Sequence, residues 1–176
     1  MIIEPQRREK RDKQIKFLIY AIVALLIVIF QISIANLIEI GGLTPNLMIV
    51  LVVWITISEG QFVGIFAGFL AGLIFDIATF DLIGTNALAQ TVAAMASGFF
   101  HKEGKEELIL SRYKFIGIVF FSSFLHNIVY FFLYLKLSEL DFLNFFFKYG
   151  LATSFYTTVL SVFVVLFKIP RTRVRI

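Results

Sequence analysis

An apolar run over residues 62–80 carries a glycine at every fourth position, followed in the same register by an acid. The glycines are Gly64, Gly68 and Gly72, and the acid is Asp76. Positions four apart lie on one face of a helix, so this face has no side-chain bulk before the carboxylate. In a bilayer, such a face lets a second helix backbone approach closely. The stripe therefore predicts tight helix packing, and the acid is a candidate functional site because charge at that depth is costly.

The composition is that of an integral membrane protein. Of 176 residues, 59% are hydrophobic, and the mean hydropathy is +0.90, which is unusual for a soluble domain. Most of the apolar runs are long enough to cross about 30 Å of hydrocarbon as helices. The sequence predicts an all-α, polytopic fold with six transmembrane helices over 15–38, 45–58, 62–80, 85–100, 113–137 and 149–169.

The spans form one domain over 15–169, between a basic N-terminal segment (1–14) and a basic tail (170–176). The N-terminal segment is too charged, and the apolar stretch after it too long, for a cleaved signal peptide. The chain has no cysteine, which excludes disulfides and thiolate metal sites.

Spans two and three are predicted to form a helical hairpin. Thr44 suits the N-cap of span two, Pro45 suits its first turn, and the segment 59–61 is a tight turn into span three. Spans two and four are short, and span four is also weakly apolar. We therefore expect spans two to four in the interior and spans one, five and six toward lipid.

Basic residues predict the orientation, because Lys and Arg favour the cytoplasmic side. With six spans, fourteen of the sixteen basic residues fall on one side together with both termini, and Lys136 and Lys148 fall on the other. The outer loops are acidic, with Glu39, Asp81, Glu139 and Asp141. Ser138 begins a cap-like pattern, and the Phe-rich run after it either lies along the outer interface as a short helix or extends span six.

Five polar residues are predicted to lie at a similar depth in the outer half of the membrane: Asp76, Asn86, Gln90, His126 and Asn127. In the functional interpretation they form a polar pocket. In the structural interpretation, Asp76 caps a nearby helix start or bonds neighbouring amides and so locks the bundle, a common use of polar groups in membrane proteins.

The remaining patterns exclude several functions. His101 and His126 are too far apart to show a metal-ligand spacing, and the sequence contains no phosphate-binding loop, nucleophile elbow or zinc-protease motif. We therefore expect no catalysis, cofactor or metal. The basic N-terminus is explained by its role in membrane topology and by contact of the basic termini with anionic lipid headgroups. The alternative is that it binds a cytoplasmic protein. We expect no nucleic acid partner.

Three motifs together resemble a known family. Gly42-Leu-Thr-Pro45-Asn46-Leu47 precedes the glycine and aspartate stripe, and Gly84-x2-Ala87-Leu88 follows it. This pattern, with the chain length and basic termini, resembles the bacterial rod shape-determining protein MreD. The specific motif covers residues 42–88, and the rest matches in layout.

The resemblance implies a non-catalytic inner-membrane scaffold for lateral cell-wall elongation. Its partners would be a single-span MreC-like protein, an MreB-like filament, a RodA-like glycosyltransferase and a transpeptidase. Pro45, Asn46, the stripe and Gly84 would serve helix packing, within the bundle or against the partner span. The family is also similar in fold to the substrate-binding components of energy-coupling-factor vitamin transporters. The alternative function is therefore a small-molecule or lipid-binding membrane subunit.

Overall fold

The computed structural model describes residues 3–33, 39, 41–80, 82–110, 113–135 and 142–167, and its regular structure is helical. The elements are α1 (Ile3–Ser33), α2 (Leu47–Glu59), α3 (Gln61–Thr79), α4 (Thr85–Gly98), α5 (Glu106–Leu110), α6 (Tyr113–Leu135), α7 (Phe142–Phe145), a π-helical turn (Phe146–Gly150) and α8 (Leu151–Phe167). The all-α prediction is therefore confirmed. The tail 170–176 and the predicted roles of Asp81, Lys136, Ser138, Glu139 and Asp141 lie outside the described residues.

The predicted hairpin is confirmed, but the start of α2 differs from the prediction. Gly60, at φ 98°, is the single residue between α2 and α3. The N-cap of α2 is Asn46, not Thr44, because the Asn46 side chain accepts a hydrogen bond from the Ile49 N–H at 3.3 Å. Pro45 therefore precedes the helix instead of lying in its first turn. The first helix also begins at Ile3, well before the predicted span.

Three helical stretches among the described residues are long and apolar enough to cross a bilayer: Lys10–Ser33, Gln61–Thr79 and Tyr113–Leu135. The predicted short spans are short helices, with 13 residues in α2 and 14 in α4. At 1.5 Å per residue, α2 is about 20 Å long, less than the hydrocarbon thickness. The six-span count therefore stays a prediction.

The last helical segment is continuous from Phe142 to Phe167. Phe145 and Leu151, on either side of the π-helical turn, both have helical backbone angles. Over residues 142–150, the Phe-rich run therefore extends the final helix, as one of the two sequence interpretations predicted.

Burial separates the helices into a core and a periphery. Helices α2 and α4 are the most enclosed. Helix α1 is the most exposed, because only 6% of its most apolar stretch is buried. Helix α3 buries its glycine face and exposes the opposite one. Helix α6, predicted to lie toward lipid, exposes Phe121 and Phe132. It also buries a face that was not predicted, made of Phe115, Ile118, Val119, Ser122, Ser123, His126 and Asn127. This face packs against α4, α8 and α2.

Candidate functional site

Gly68 and Gly72 of the stripe lie against α4, where main-chain atoms of α3 and α4 approach each other. A Cβ added to Gly68 would lie 2.8 Å from the Gln90 carbonyl oxygen, and one added to Gly72 would lie 2.5 Å from Ala87 Cα. Real Cβ atoms essentially never approach other heavy atoms closer than 3.0 Å. These two glycines are therefore required by the packing of α3 on α4.

The same close packing continues at both sides of this contact. A Cβ on Gly64 would lie 2.6 Å from Thr56 Cβ, which belongs to α2. At the far end of α4, a Cβ on Gly98 would lie 2.8 Å from Gln61 Cβ at the start of α3. We call Gly64, Gly68, Gly72 and Gly98 the glycine seam. Gly98 was not predicted, because it stands outside the four-residue repeat.

Asp76 is fully buried and caps the N-terminus of α4. Its Oδ2 accepts hydrogen bonds from the N–H groups of Gly84 (2.8 Å) and Ala87 (3.2 Å). Its Oδ1 accepts from the N–H and the side-chain amide of Asn86, at 3.0 and 2.9 Å. A helix start leaves such N–H groups without partners and attracts negative charge. The geometry is that of the structural interpretation of Asp76.

Gly84 explains why a distant residue provides this cap. Gly84 is the N-cap residue of α4, with φ 100°, a conformation that favours glycine. It has no side chain to accept hydrogen bonds from the first turn. The carboxylate eight residues earlier, on α3, provides the acceptors instead.

Pro45 and Asn46 lie at a junction of α1, α2 and α8. The Gln31 side chain of α1 donates to the Pro45 carbonyl oxygen at 2.9 Å and accepts from the Leu47 N–H at 3.2 Å. The Asn46 N–H donates to Thr157 Oγ1 at 3.0 Å. Gln31 was not predicted, although a lone amide inside an apolar run is a usable signal.

His126 and Asn127 form a second buried polar group. His126 Nδ1 lies 3.3 Å from Asn127 Oδ1, and the Asn127 amide donates to the Gly150 carbonyl oxygen and to Ser154 Oγ, at 2.9 and 2.8 Å. Among the described residues, no hydrogen bond joins this group to Asp76. The structure thus brings Asp76 together with Asn86, and His126 together with Asn127, while a shared pocket stays a prediction.

Four buried polar atoms on α4 and α6 have no hydrogen-bond partner in the described part of the chain. They are Gln90 Oε1, Ser122 Oγ, Ser123 Oγ and His126 Nε2. Such atoms are costly to bury without partners. Water or a polar ligand would satisfy them.

Glu59, at the end of α2, contacts the middle of α1 and was predicted only as a turn residue. Its carboxylate pairs with the Lys16 ammonium and accepts a hydrogen bond from the Tyr20 hydroxyl at 2.9 Å. The pair is partly exposed, so its contribution to stability is small, but it fixes where α1 crosses α2.

Comparison with curated proteins and with solved structures finds no match. A family model described as rod shape-determining protein MreD matches residues 11–169, which include the glycine seam, Asp76, His126 and Asn127. Together with the apolar helices, this match identifies a membrane protein involved in cell shape. The chain belongs to the MreD family.

Proposed function

We propose that this protein is a non-catalytic, multi-pass scaffold of the inner membrane that binds a single-span, MreC-like partner in the cell-wall elongation complex. Family membership supports a role in rod shape determination. Through the partner, the scaffold would be linked to an MreB-like filament, a RodA-like glycosyltransferase and a transpeptidase. Both termini would lie in the cytoplasm.

The observation that carries the proposal is that the glycine seam and Asp76 are used inside the bundle. Gly68 and Gly72 contact the backbone of α4, and both Asp76 oxygens accept hydrogen bonds. Neither feature is exposed as a surface for another protein. A partner helix therefore has to bind elsewhere, on the outward-facing surface of the bundle.

The surface that best fits a partner helix is the groove beside α1, where α1 meets α2 and α3. It has a volume of about 290 Å³, and its walls include the small residues Ala21, Ala24, Ala67 and Ala71. Small residues let helix backbones approach each other in a bilayer. Besides apolar packing around Val28, polar contacts hold α1 near its middle, through Glu59, and near its C-terminal end, through Gln31.

The test uses substitutions that place a large side chain in this groove. We expect Ala21→Phe and Ala67→Phe to reduce co-purification with an MreC-like protein, because the rings occupy the space that the partner helix needs. Val159→Phe is the matched control, since Val159 is 57% exposed on α8, away from the groove. Unchanged co-purification of both folded groove variants would contradict the proposed contact.

The alternative is a binding subunit for a small polar molecule or lipid, resembling a vitamin transporter component. The unpartnered atoms of Gln90, Ser122, Ser123 and His126 favour it, because a ligand with hydrogen-bonding groups would satisfy them. Mass spectrometry of the protein purified from its native membrane tests this alternative. It predicts a co-purifying molecule that is lost from a Ser122→Ala/Ser123→Ala variant.

A further inference from the structure

A groove of about 580 Å³ lies at the end of the bundle that contains the loop after α4. It runs from the end of α4 across the loop and α5 to the first turns of α6. Three of the lining residues are lysines, Lys102, Lys105 and Lys114. The apolar walls are formed by Phe99, Phe100, Leu108 and Ile118.

The lysines are available to a ligand. Each is exposed, and none forms an ion pair with a residue that the structure describes. Three glutamates belong to the same loop and α5, at 103, 106 and 107, but they do not line the groove. Glu106 is engaged by the Gly104 N–H at 2.9 Å, and hydrogen bonds from the Glu106 and Gly104 N–H groups lower the pKa of its carboxyl.

Gly117 on α6 is a second, independent feature of the groove. It lies inside a helix, where glycine is less stable than alanine by about 0.5–1 kcal/mol. Unlike the seam glycines, it has no protein atom within 4 Å of an added Cβ. Packing within the described chain therefore does not require a glycine here, and its absent side chain deepens the groove.

The groove changes from charged to apolar along a helix long enough to cross a bilayer. Lys114 and Gly117 are three residues apart on α6, a rise of about 4.5 Å. Phe100 at the groove contacts Phe121, another turn along α6, edge-to-face at 6.1 Å. A ligand in this groove would have its anionic end at the loop and its apolar part along α6.

We propose that this groove binds one anionic phospholipid, with its headgroup phosphate on the three lysines and an acyl chain over Gly117. The site is distinct from the basic termini, which attract lipid headgroups only by their general charge. It is independent of the proposed scaffold function. A lipid bound here would join the loop after α4 to the first turns of α6.

In the test, the protein is first mixed with equal amounts of phosphatidylglycerol and phosphatidylcholine. Native mass spectrometry then measures which lipid it retains. We expect preferential retention of one phosphatidylglycerol. Each lysine near an anionic headgroup contributes roughly fivefold in affinity, so Lys102→Gln/Lys105→Gln/Lys114→Gln should weaken binding on the order of 100-fold. Gly117→Leu should also displace the lipid, although it changes no charge.

The matched control is Lys10→Gln/Arg11→Gln/Lys13→Gln, which removes three charges from exposed positions of α1. It should keep the preferred lipid, and thermal unfolding should show that all variants are folded. Equal retention of the two lipids by the parent would overturn the proposal. So would undiminished retention by the folded lysine or Gly117→Leu variant, or equal loss in the control.

Discussion

The Asp76 carboxylate shows how an acid can be buried in this bundle with no cationic partner among the residues that the structure describes. Placing Asp within a membrane helix costs about 3 kcal/mol on insertion scales. Four hydrogen bonds from three residues oppose that cost, and a hydrogen bond to a charged group contributes about 1.5–3 kcal/mol. The cap is therefore sufficient to stabilise the acid, and the charge needs no catalytic or transport role to explain it.

Asp76→Asn should destabilise the protein by about 2–4 kcal/mol, because one acceptor oxygen becomes an amide donor that faces N–H groups at the start of α4. Thermal unfolding in detergent measures the effect. Asp12→Asn is the control, since it removes a carboxylate from an exposed position of α1. If Asp76→Asn unfolds at the parent temperature, the cap does not depend on the carboxylate.

Glycine serves two different purposes in the long helices α3 and α6. In α3, Gly68 lies where the Gln90 carbonyl oxygen occupies the space of a side chain. In α6, Gly117 faces open space. The two residues have the same backbone disadvantage in a helix, so a comparison between them separates packing from helix propensity.

Gly68→Ala should lower the free energy of unfolding by about 1–3 kcal/mol, because the added methyl group forces α3 and α4 apart. Gly117→Ala should raise it by up to about 1 kcal/mol, since alanine favours the helix and meets no neighbour. Thermal unfolding of the two variants, side by side, provides the measurement. Equal effects of the same sign would show that the seam is not packed as described.

One end of the bundle is defined by contacts at the C-terminal end of α2. There, Glu59 contacts Lys16 and Tyr20 of α1, and His101 Nδ1, in the loop after α4, lies 2.9 Å from the Ile57 carbonyl oxygen. The middle of α1 and the loop after α4 therefore both contact the C-terminal end of α2, so they lie at the same end of the bundle. This arrangement supports the predicted orientation, in which both face the cytoplasm.

Because the chain has no cysteine, single cysteines can report this orientation. In intact cells, a membrane-impermeant maleimide should label Glu39→Cys and leave Lys13→Cys and Lys105→Cys unlabelled. All three should react after the membrane is permeabilised. External labelling at position 13 or 105 would contradict the proposed topology.

Local patterns predicted much of this fold. The hairpin turn at Gly60, the start of α4 at Thr85 and the close packing at Gly64, Gly68 and Gly72 follow from spacing and residue type, which act over a few residues. The Asp76 cap was one of two interpretations of a single acid. It could be anticipated because the acid and the helix start are only eight to eleven residues apart.

Contacts between distant segments could not be predicted in this way. Asn127 bonds Gly150 and Ser154, which are 23 and 27 residues away, and no periodic signal links them. The buried face of α6 was not predicted because its many phenylalanines suit lipid and protein equally well. The cap at Asn46 was missed because Thr44 and Asn46 are both good capping residues, and only the backbone path selects between them.

The contact between α3 and α4 has a mechanical consequence. At Gly68 and Gly72, the touching atoms of α3 belong to the main chain, which has no alternative rotamers to accommodate sliding. Packed interfaces are not continuously deformable, and sliding at these two positions would bring main-chain atoms of α3 and α4 into collision. The two helices therefore form one stiff unit, and α1, the least buried of the three long apolar helices, is the one that can shift most easily against it.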